Sequence, residues 1–429
     1  DLPEPRTEQV LETLVDASLL ESAAPGRYRF HDLIRLYARD CAERDEQSPG
    51  ERAAALSRML DFYLATTSAV YGIETPGDRL VEHLERTEYP WGSRSFWIPS
   101  YMANIAPKLD WLFAESDCLL ACVQQCATGA TLRRAADLLM AAIDLAESGA
   151  NDRRYEAVAR AVTEAAKAAG DVLAEGRSRT FLAQLHSMTG RFQEAEDEAL
   201  LALKAGTAAD DALVLSRVPN QRGIIAQYEH RYADAQAHLR QAVETFRKDA
   251  NRSGEALALS NLSRVHLALD DTGSAVELAR RGERLLASLG STFRLANAKY
   301  TVGIALTTAG RFDEALVQLT DALGGFRKNR QPLWEGMAHC RIAEAHLAAG
   351  RPAQAAEHAE VALALRGLGG EWRRGMMLTL LGRALMGINQ TVRAEACWRE
   401  ALSIYATYDK LASPEAAEAR SLLSAVTAP

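Results

Sequence analysis

The sequence predicts an all-α chain in which helical hairpins stack into a solenoid behind a small front unit. Three observations predict it. Ala and Leu abound while aromatic residues make up only 7% of the 429 residues, and runs of β-branched residues are scarce, a composition that favours helix over sheet. Small residues recur at a fixed long period through most of the chain. Glycine turns fall between the recurring positions, where one helix must end and the next begin. A chain this long exceeds one compact core, so two or more packed units are expected.

The front unit spans residues 1–45. A helix from Gln9 to Leu20 places Leu11, Leu14, Val15 and Leu19 on one apolar side. Pro25-Gly26 reads as a turn. Tyr28 and Phe30 suit a short strand, and His31-Asp32-Leu33-Ile34 opens a second helix through Ala42. Helix, tight turn, short strand and helix are parts of a winged-helix unit. Arg27, Arg29, Arg35 and Arg39 lie among Asp16, Glu21, Asp32 and Asp40, so no basic face for direct DNA contact is expected here.

A helical connecting region follows over residues 46–150. Leu56, Met59, Leu60, Tyr63 and Leu64 give a helix over 51–71 its apolar side. Residues 72–108 hold Pro76, Pro90, Pro99 and Pro107 with Tyr89, Trp91, Phe96, Trp97 and Tyr101, and read as a long aromatic loop, either a lid or packing. Helices resume near Pro107. Cys118, Cys122 and Cys126 share one helical face; with no further His or Cys nearby in sequence to complete a metal site, they read as core. Cys340 and Cys397 also read as core.

The array occupies residues 151–429. Ala195, Ala235, Ala275, Ala315, Ala355 and Ala394 follow one another at spacings of 40, 40, 40, 40 and 39 residues. A second small residue follows each: Ala202, Ala242, Gly282, Ala322, Ala362 and Ala401. A third precedes each: Ala183, Gly223, Ser263, Gly303, Ala343 and Gly382. Small side chains are needed where paired helices cross closely. Gly190-Arg191-Phe192, Gly310-Arg311-Phe312 and Gly350-Arg351-Pro352 supply the turns. The pattern resembles a divergent tetratricopeptide repeat, whose usual length is about 34 residues. That resemblance implies a right-handed tetratricopeptide-repeat α-solenoid. The longer period here adds about one turn to each helix or lengthens the links. Tyr155, Ala159 and Val162 mark an earlier hairpin one period upstream. Ser413-Pro414-Glu415 starts a capping helix that runs from Pro414 to Val426.

Inner helices of such a stack line a concave groove. The repeat register puts Arg217, Asn220, Gln221, Asn261, Arg264, Asn297, Tyr300, Arg341, Glu344 and Arg383 on or near it. Those side chains suit a peptide backbone, a carboxylate or a polar small molecule; a solvated polar face without a dedicated ligand is the alternative.

Leu14-Val15-Asp16-Ala17-Ser18-Leu19-Leu20-Glu21, then Gly26-Arg27-Tyr28-Arg29-Phe30-His31-Asp32-Leu33-Ile34-Arg35-Leu36-Tyr37-Ala38-Arg39, resembles the winged-helix end of the nucleotide-binding switch in signal-transduction ATPases, the NB-ARC or STAND class. Within that class it is most similar to the large Streptomyces antibiotic regulatory proteins (SARP), in which a DNA-binding domain precedes the ATPase switch and tetratricopeptide (TPR) repeats follow it. The resemblance extends weakly to Asp110-Trp111-Leu112-Phe113-Ala114-Glu115. There the family often continues Arg-x-Asn-Leu, and this chain has Ser116-Asp117-Cys118-Leu119. The family's His-Asp pair falls on His31 and Asp32. The implied role of His31 is to touch the ADP phosphate in the closed state, with Asp32 fixing the local turn; an ordinary His-Asp helix cap is the alternative.

The net charge of −8 argues against the chain as a whole binding a polyanion. No stretch approaches the roughly 18 apolar residues of a membrane span, and no signal peptide is read. Six cysteines in so long a chain suggest no disulfide framework, so a reducing cytoplasm is expected. There is no G-x-x-x-x-G-K-[ST] phosphate loop, nucleophile elbow or zinc helix motif, so this chain is expected to be no enzyme and to carry no cofactor. ATP or ADP is expected in a longer parent, of which this chain reads as the C-terminal fragment. The expected function is that of a sensor in a cytoplasmic transcriptional activator of antibiotic biosynthesis. Its groove would receive a signal ligand, peptide or protein and bias the upstream nucleotide-binding domain. DNA contact would come only through an N-terminal domain, with oligomerisation possible on activation. A protein-interaction scaffold, a self-association module, or a defence ATPase outside transcription are the alternatives.

Overall fold

The computed structural model describes residues 4–24, 27–45, 50–87, 105–147, 152–365, 371–407 and 413–427. Two compact units divide the chain, Asp1–Met59 and Leu60–Pro429.

In the first unit, α1 (Glu4–Asp16) ends earlier than its apolar pattern predicts. Ser18 takes a left-handed conformation (φ 57°), and the Leu19 N–H donates back to the Leu14 carbonyl at 2.9 Å, closing the helix. Leu20 therefore leaves the helix and starts β1 (Leu20–Ala24), which pairs antiparallel with β2 (Arg27–Phe30), Leu20 opposite Phe30. The expected Pro25-Gly26 turn lies outside the described residues. The next helix, α2 (Asp32–Arg44), buries no residue, and Leu33, Leu36 and Tyr37 are exposed.

Helix α3 (Glu51–Glu74) buries Leu60, Tyr63 and Leu64, and the Tyr63 hydroxyl donates to Glu115 at 2.9 Å. The short α4 (Leu80–His83) follows. The aromatic residues Tyr89, Trp91, Phe96, Trp97 and Tyr101 lie outside the described residues. Helices resume with α5 (Ile105–Cys126), then α6 (Leu132–Ala141) and α7 (Ile143–Glu147). Cys122, Cys126 and Cys340 are buried as expected, but Cys118 is exposed and Cys397 only half-buried. Cys118 lies on the same helical face, where the described residues leave α5 exposed. Among the described residues no group of three His, Cys, Asp or Glu is placed to hold a metal, and no helix is long and apolar enough to cross a membrane.

From α8 (Asp152–Ala169) onward the chain is an α-solenoid. Six hairpins follow: α9 (Val172–Met188) with α10 (Phe192–Ala209), α11 (Ala212–Tyr228) with α12 (Tyr232–Lys248), and α13 (Arg252–Ala268) with α14 (Thr272–Ala287). Then come α15 (Thr292–Thr308) with α16 (Phe312–Lys328), α17 (Pro332–Ala348) with α18 (Pro352–Ala364), and α19 (Glu371–Gly387) with α20 (Thr391–Thr407). Left-handed residues punctuate the array at a constant step: Gly170, Gly190, Asp210, His230, Ala250, Asp270, Gly290, Gly310, Arg330 and Gly350. After most of them the next N–H reaches back five residues, as Arg191 does to the His186 carbonyl at 2.9 Å. Most helices are 17 residues long, so the added length of the repeat lies in the helices and not in the links.

All three small-residue columns are buried. A Cβ at Gly303 would lie 2.5 Å from Leu319 Cγ, and one at Gly223 equally close to Leu239, so the helix pairs tolerate nothing larger there. The final helix, α21 (Pro414–Thr427), covers the last hairpin with Ala416 and Ala419 against Leu378, Ala401 and Tyr405. Ser413 caps it, its hydroxyl accepting from the Ala416 N–H at 3.2 Å.

Candidate functional site

The inner helices do not line an open groove. The array closes on itself: Trp372, at the start of α19, packs edge-on against Phe192 of α10 (centroids 5.8 Å) and Tyr228 of α11 (5.5 Å). Arg373 stacks on the Trp372 ring at 4.6 Å and donates to the Met188 carbonyl of α9.

The segment between α3 and α4 runs along the inner side of the array. Arg217 donates to the Tyr71 hydroxyl (3.0 Å) and to Asp78 Oδ1 (2.7 Å). The Ser253 N–H reaches the Gly77 carbonyl at 3.2 Å, the Ser291 hydroxyl the Glu74 carbonyl at 2.8 Å, and Arg177 the His83 carbonyl at 2.9 Å. Arg177 is itself held by Asp137 and, at 2.8 Å, by Asp211.

Between these two closures lies a cavity of about 130 Å³. Six of the ten groove residues expected from the repeat register line it: Arg217, Asn220, Gln221, Asn261, Arg264 and Asn297. The other four do not. Tyr300 is buried in a hydrophobic cluster and accepts from Arg341 at 3.2 Å. Arg341 also holds Glu344 at 2.7 Å, and exposed Arg383 pairs with Glu418 at 3.3 Å. These four stand at the same helix positions as Asn220, Asn261 and Arg264, but in later repeats, where Tyr300, Arg341 and Glu344 are taken up with one another and Arg383 with Glu418.

Arg294, Trp334 and Arg373 line the cavity without having been singled out. Their signal was present in the sequence: with Gly254 they occupy one repeat column, in the first turn of α13, α15, α17 and α19. Asp78 and Tyr228 also line it, and Asp78 comes from outside the repeats, where no register points to it.

Among the described residues, Arg217, Arg264, Arg294 and Arg373 line it together with the acid Asp78. Burial alone would raise the Tyr228 phenol, but the nearby guanidiniums of Arg373, Arg264 and Arg341 outweigh it and bring its pKa below the ordinary value. The amides are chained: Asn261 donates to Asn220 at 2.9 Å, Arg264 donates to Asn261, and Gln221 donates to the Ser187 hydroxyl at 3.0 Å. Arg264 Nε and Asn297 Oδ1 are buried without a hydrogen-bond partner among the described residues.

In the first unit, His31 stands just before α2 and makes no side-chain cap bond; its Nδ1 lies 3.0 Å from Glu21. The Arg29 guanidinium hydrogen-bonded to Glu21 holds that carboxyl below its usual range. Asp32 is exposed and pairs with Arg35 at 3.3 Å.

Paired helices in this register, with left-handed closures and small crossing residues, define the fold class: an α-solenoid of the tetratricopeptide-repeat type. The tetratricopeptide repeat family model matches residues 214–288. Among solved structures, a Rap protein complexed with Competence and Sporulation Factor shares the fold. It aligns with a TM-score of 0.52 at 14% identity, over 75% of this chain and 96% of its own. Within the class, this chain is a relative of the regulatory protein AfsR. It is 53% identical to AfsR of Streptomyces griseus over 99% of its length, and 53% identical to AfsR of Streptomyces coelicolor, also over 99%. The similarity to Streptomyces regulatory proteins expected from the front motif is therefore shown. The chain spans 41% and 42% of the length of these two relatives.

Proposed function

We propose that this chain is the sensor region of a cytoplasmic transcriptional activator of antibiotic biosynthesis, receiving a signal ligand or partner inside the repeat array and controlling a nucleotide switch in a longer protein. The observation that carries the reading is the cavity inside the array, lined by arginines and amides and bordered by the segment that leads back to α3. Kinship with two Streptomyces regulatory proteins supports the regulatory part. The Rap protein of like fold, solved in complex with its factor, supports a bound partner.

The switch itself belongs to the longer protein, where ATP or ADP would bind, since this chain has no phosphate loop. His31 and Asp32 would serve that switch, His31 by turning from Glu21 to a phosphate oxygen. The exposed Leu33, Leu36 and Tyr37 of α2 offer an apolar face suited to the nucleotide-binding domain.

Thermal unfolding of the chain against fractionated cytoplasmic small molecules and peptides tests the sensor role. A fraction that raises the melting temperature of the wild type but not of an Asn261→Ala, Arg264→Ala variant supports it. A melting temperature unmoved by every fraction discards it. The gene upstream of the Asp1 codon tests the switch: a phosphate-binding loop supports it, and a start codon close to Asp1 with no such loop removes it.

A further inference from the structure

We infer that the turn Thr75–Asp78 is a gauge that couples the closure of the array to the end of α3: it seats across successive inner helices while the ends of the array meet, and leaves its seat when they part. The inference rests on the sensor reading above and supplies the regulation of that cavity.

The turn is stiff by construction. The Asp78 N–H donates to the Thr75 carbonyl at 3.1 Å, closing it. Pro76 fixes the first central dihedral, and Gly77 takes the positive φ (81°) that a type II turn asks of the next position. Asp78 then accepts from the Leu80 N–H at 2.8 Å and starts α4. A unit tied in this way moves as a body and does not stretch.

Its seat belongs to three inner helices, not one. Arg217 of α11 donates to Asp78 at 2.7 Å, the Ser253 N–H of α13 to the Gly77 carbonyl at 3.2 Å, and the Ser291 hydroxyl at the start of α15 to the Glu74 carbonyl at 2.8 Å. A Cβ on Gly77 would lie 2.8 Å from Leu289 Cδ1, so the fit is close on the apolar side as well. Packed helices stand about 8–10 Å apart. A short stretch that reaches three of them, Glu74–Asp78, records their spacing. Hydrogen bonds stretched by about 1 Å are lost. A small change of twist per repeat, summed from α11 to α15, therefore breaks the seat.

One helix carries both the seat and the closure. Arg217 holds the turn, and Tyr228, about three turns further along α11, packs against Trp372. The cavity joins the same two places: Asp78 and Arg217 line it from the turn, Tyr228 and Arg373 from the closure. An occupant that shifts either side acts on the other through α11.

The output is the end of α3. Glu74 is its last residue, and its carbonyl is one of those that no helical partner reaches; Ser291 satisfies it. With the turn unseated, that carbonyl and the buried Thr75 lose their cover, and the last turn of α3 frays.

Hydrogen exchange of the full chain, read by mass spectrometry without ligand, tests this. Trp372→Ala should speed exchange in residues 71–84 by about tenfold or more, and Asp78→Asn should speed exchange in residues 371–380 by a like factor, since coupling is reciprocal. The outer helix α16 should keep its rate in both. Acceleration confined to the mutated side in either variant overturns the coupling and leaves a static brace. If a variant also accelerates α16, its whole fold has loosened and the wild type decides. In rising sub-denaturing urea, residues 71–84 and 371–380 of the wild type should open together, with one urea dependence. Two separate openings overturn the inference. No ligand enters the experiment, so its failure leaves the sensor reading to its own test, and an unmoved melting temperature there would remove the purpose of the coupling but not the coupling.

Discussion

His339 is 5% exposed, and two neighbours determine where its proton sits. Its Nε2 lies 3.1 Å from Arg327, and a guanidinium only donates, so Nε2 accepts and the ring is neutral. Its Nδ1 faces His358 Nδ1 at 2.9 Å. Burial lowers the pKa first, His358 and Arg327 lower it further, Glu335 opposes them, and the result is about 4. The folded state thus binds fewer protons than the unfolded chain between the ordinary value of about 6.5 and about 4, so stability is complete above that window and lost as pH falls through it. Burial lowers His346 and His358 as well, with the same sign. The melting temperature should therefore fall between pH 7 and pH 4, and His339→Asn should flatten the slope without abolishing it. An equal slope in the variant would show that His339 does not carry the effect. Nothing in the sequence marked this trio, since its members lie on α17 and α18 at spacings that only the hairpin crossing brings together.

Helix length and helix closure were legible where the residue type states the conformation. Gly190, Gly310 and Gly350 announced left-handed closures, and the structure places them there. Ala250 and Arg330 adopt the same conformation without announcing it, because packing on both sides holds the 40-residue register even where the side chain disfavours it. At Ala250 this predicts a gain: Ala250→Gly should stabilise the chain by about 0.5–1 kcal/mol, read as a higher urea midpoint. The opposite sign holds at Gly303, where a Cβ meets Leu319; Gly303→Ala should cost about 1–3 kcal/mol in the same assay. Apolar periodicity alone misled at α1. Leu19 and Leu20 continue its helical pattern, yet the turn at Ser18 delivers Leu20 to a strand, since a two-stranded hairpin buries it and a longer helix does not.

In an open solenoid each hairpin touches only its neighbours, and a mutation's effect stays local. Closure changes that. Trp372 joins the hydrophobic cluster of Phe192, Val214, Val218 and Ile225, from the other end of the array. Trp372→Ala should destabilise by about 3–5 kcal/mol. It should also speed amide hydrogen exchange in α9–α11 as well as in α19. Exchange confined to α17–α20 would mean that the ends do not support one another.

The sequence by itself determined the helical class, the repeat length, the small-residue crossings and the capping helix, because each is a local or periodic demand written in residue type. Its repeat register also pointed to six of the residues that line the cavity, since inner helices repeat one face. Only the tertiary structure decided that this face closes into a cavity, that Arg294 and Arg373 join Arg217 and Arg264 there, and that Asp78 reaches in from outside the repeats. Those facts depend on how far the superhelix turns over several hairpins. Small rotations summed from repeat to repeat set that turn, and no single repeat records the sum.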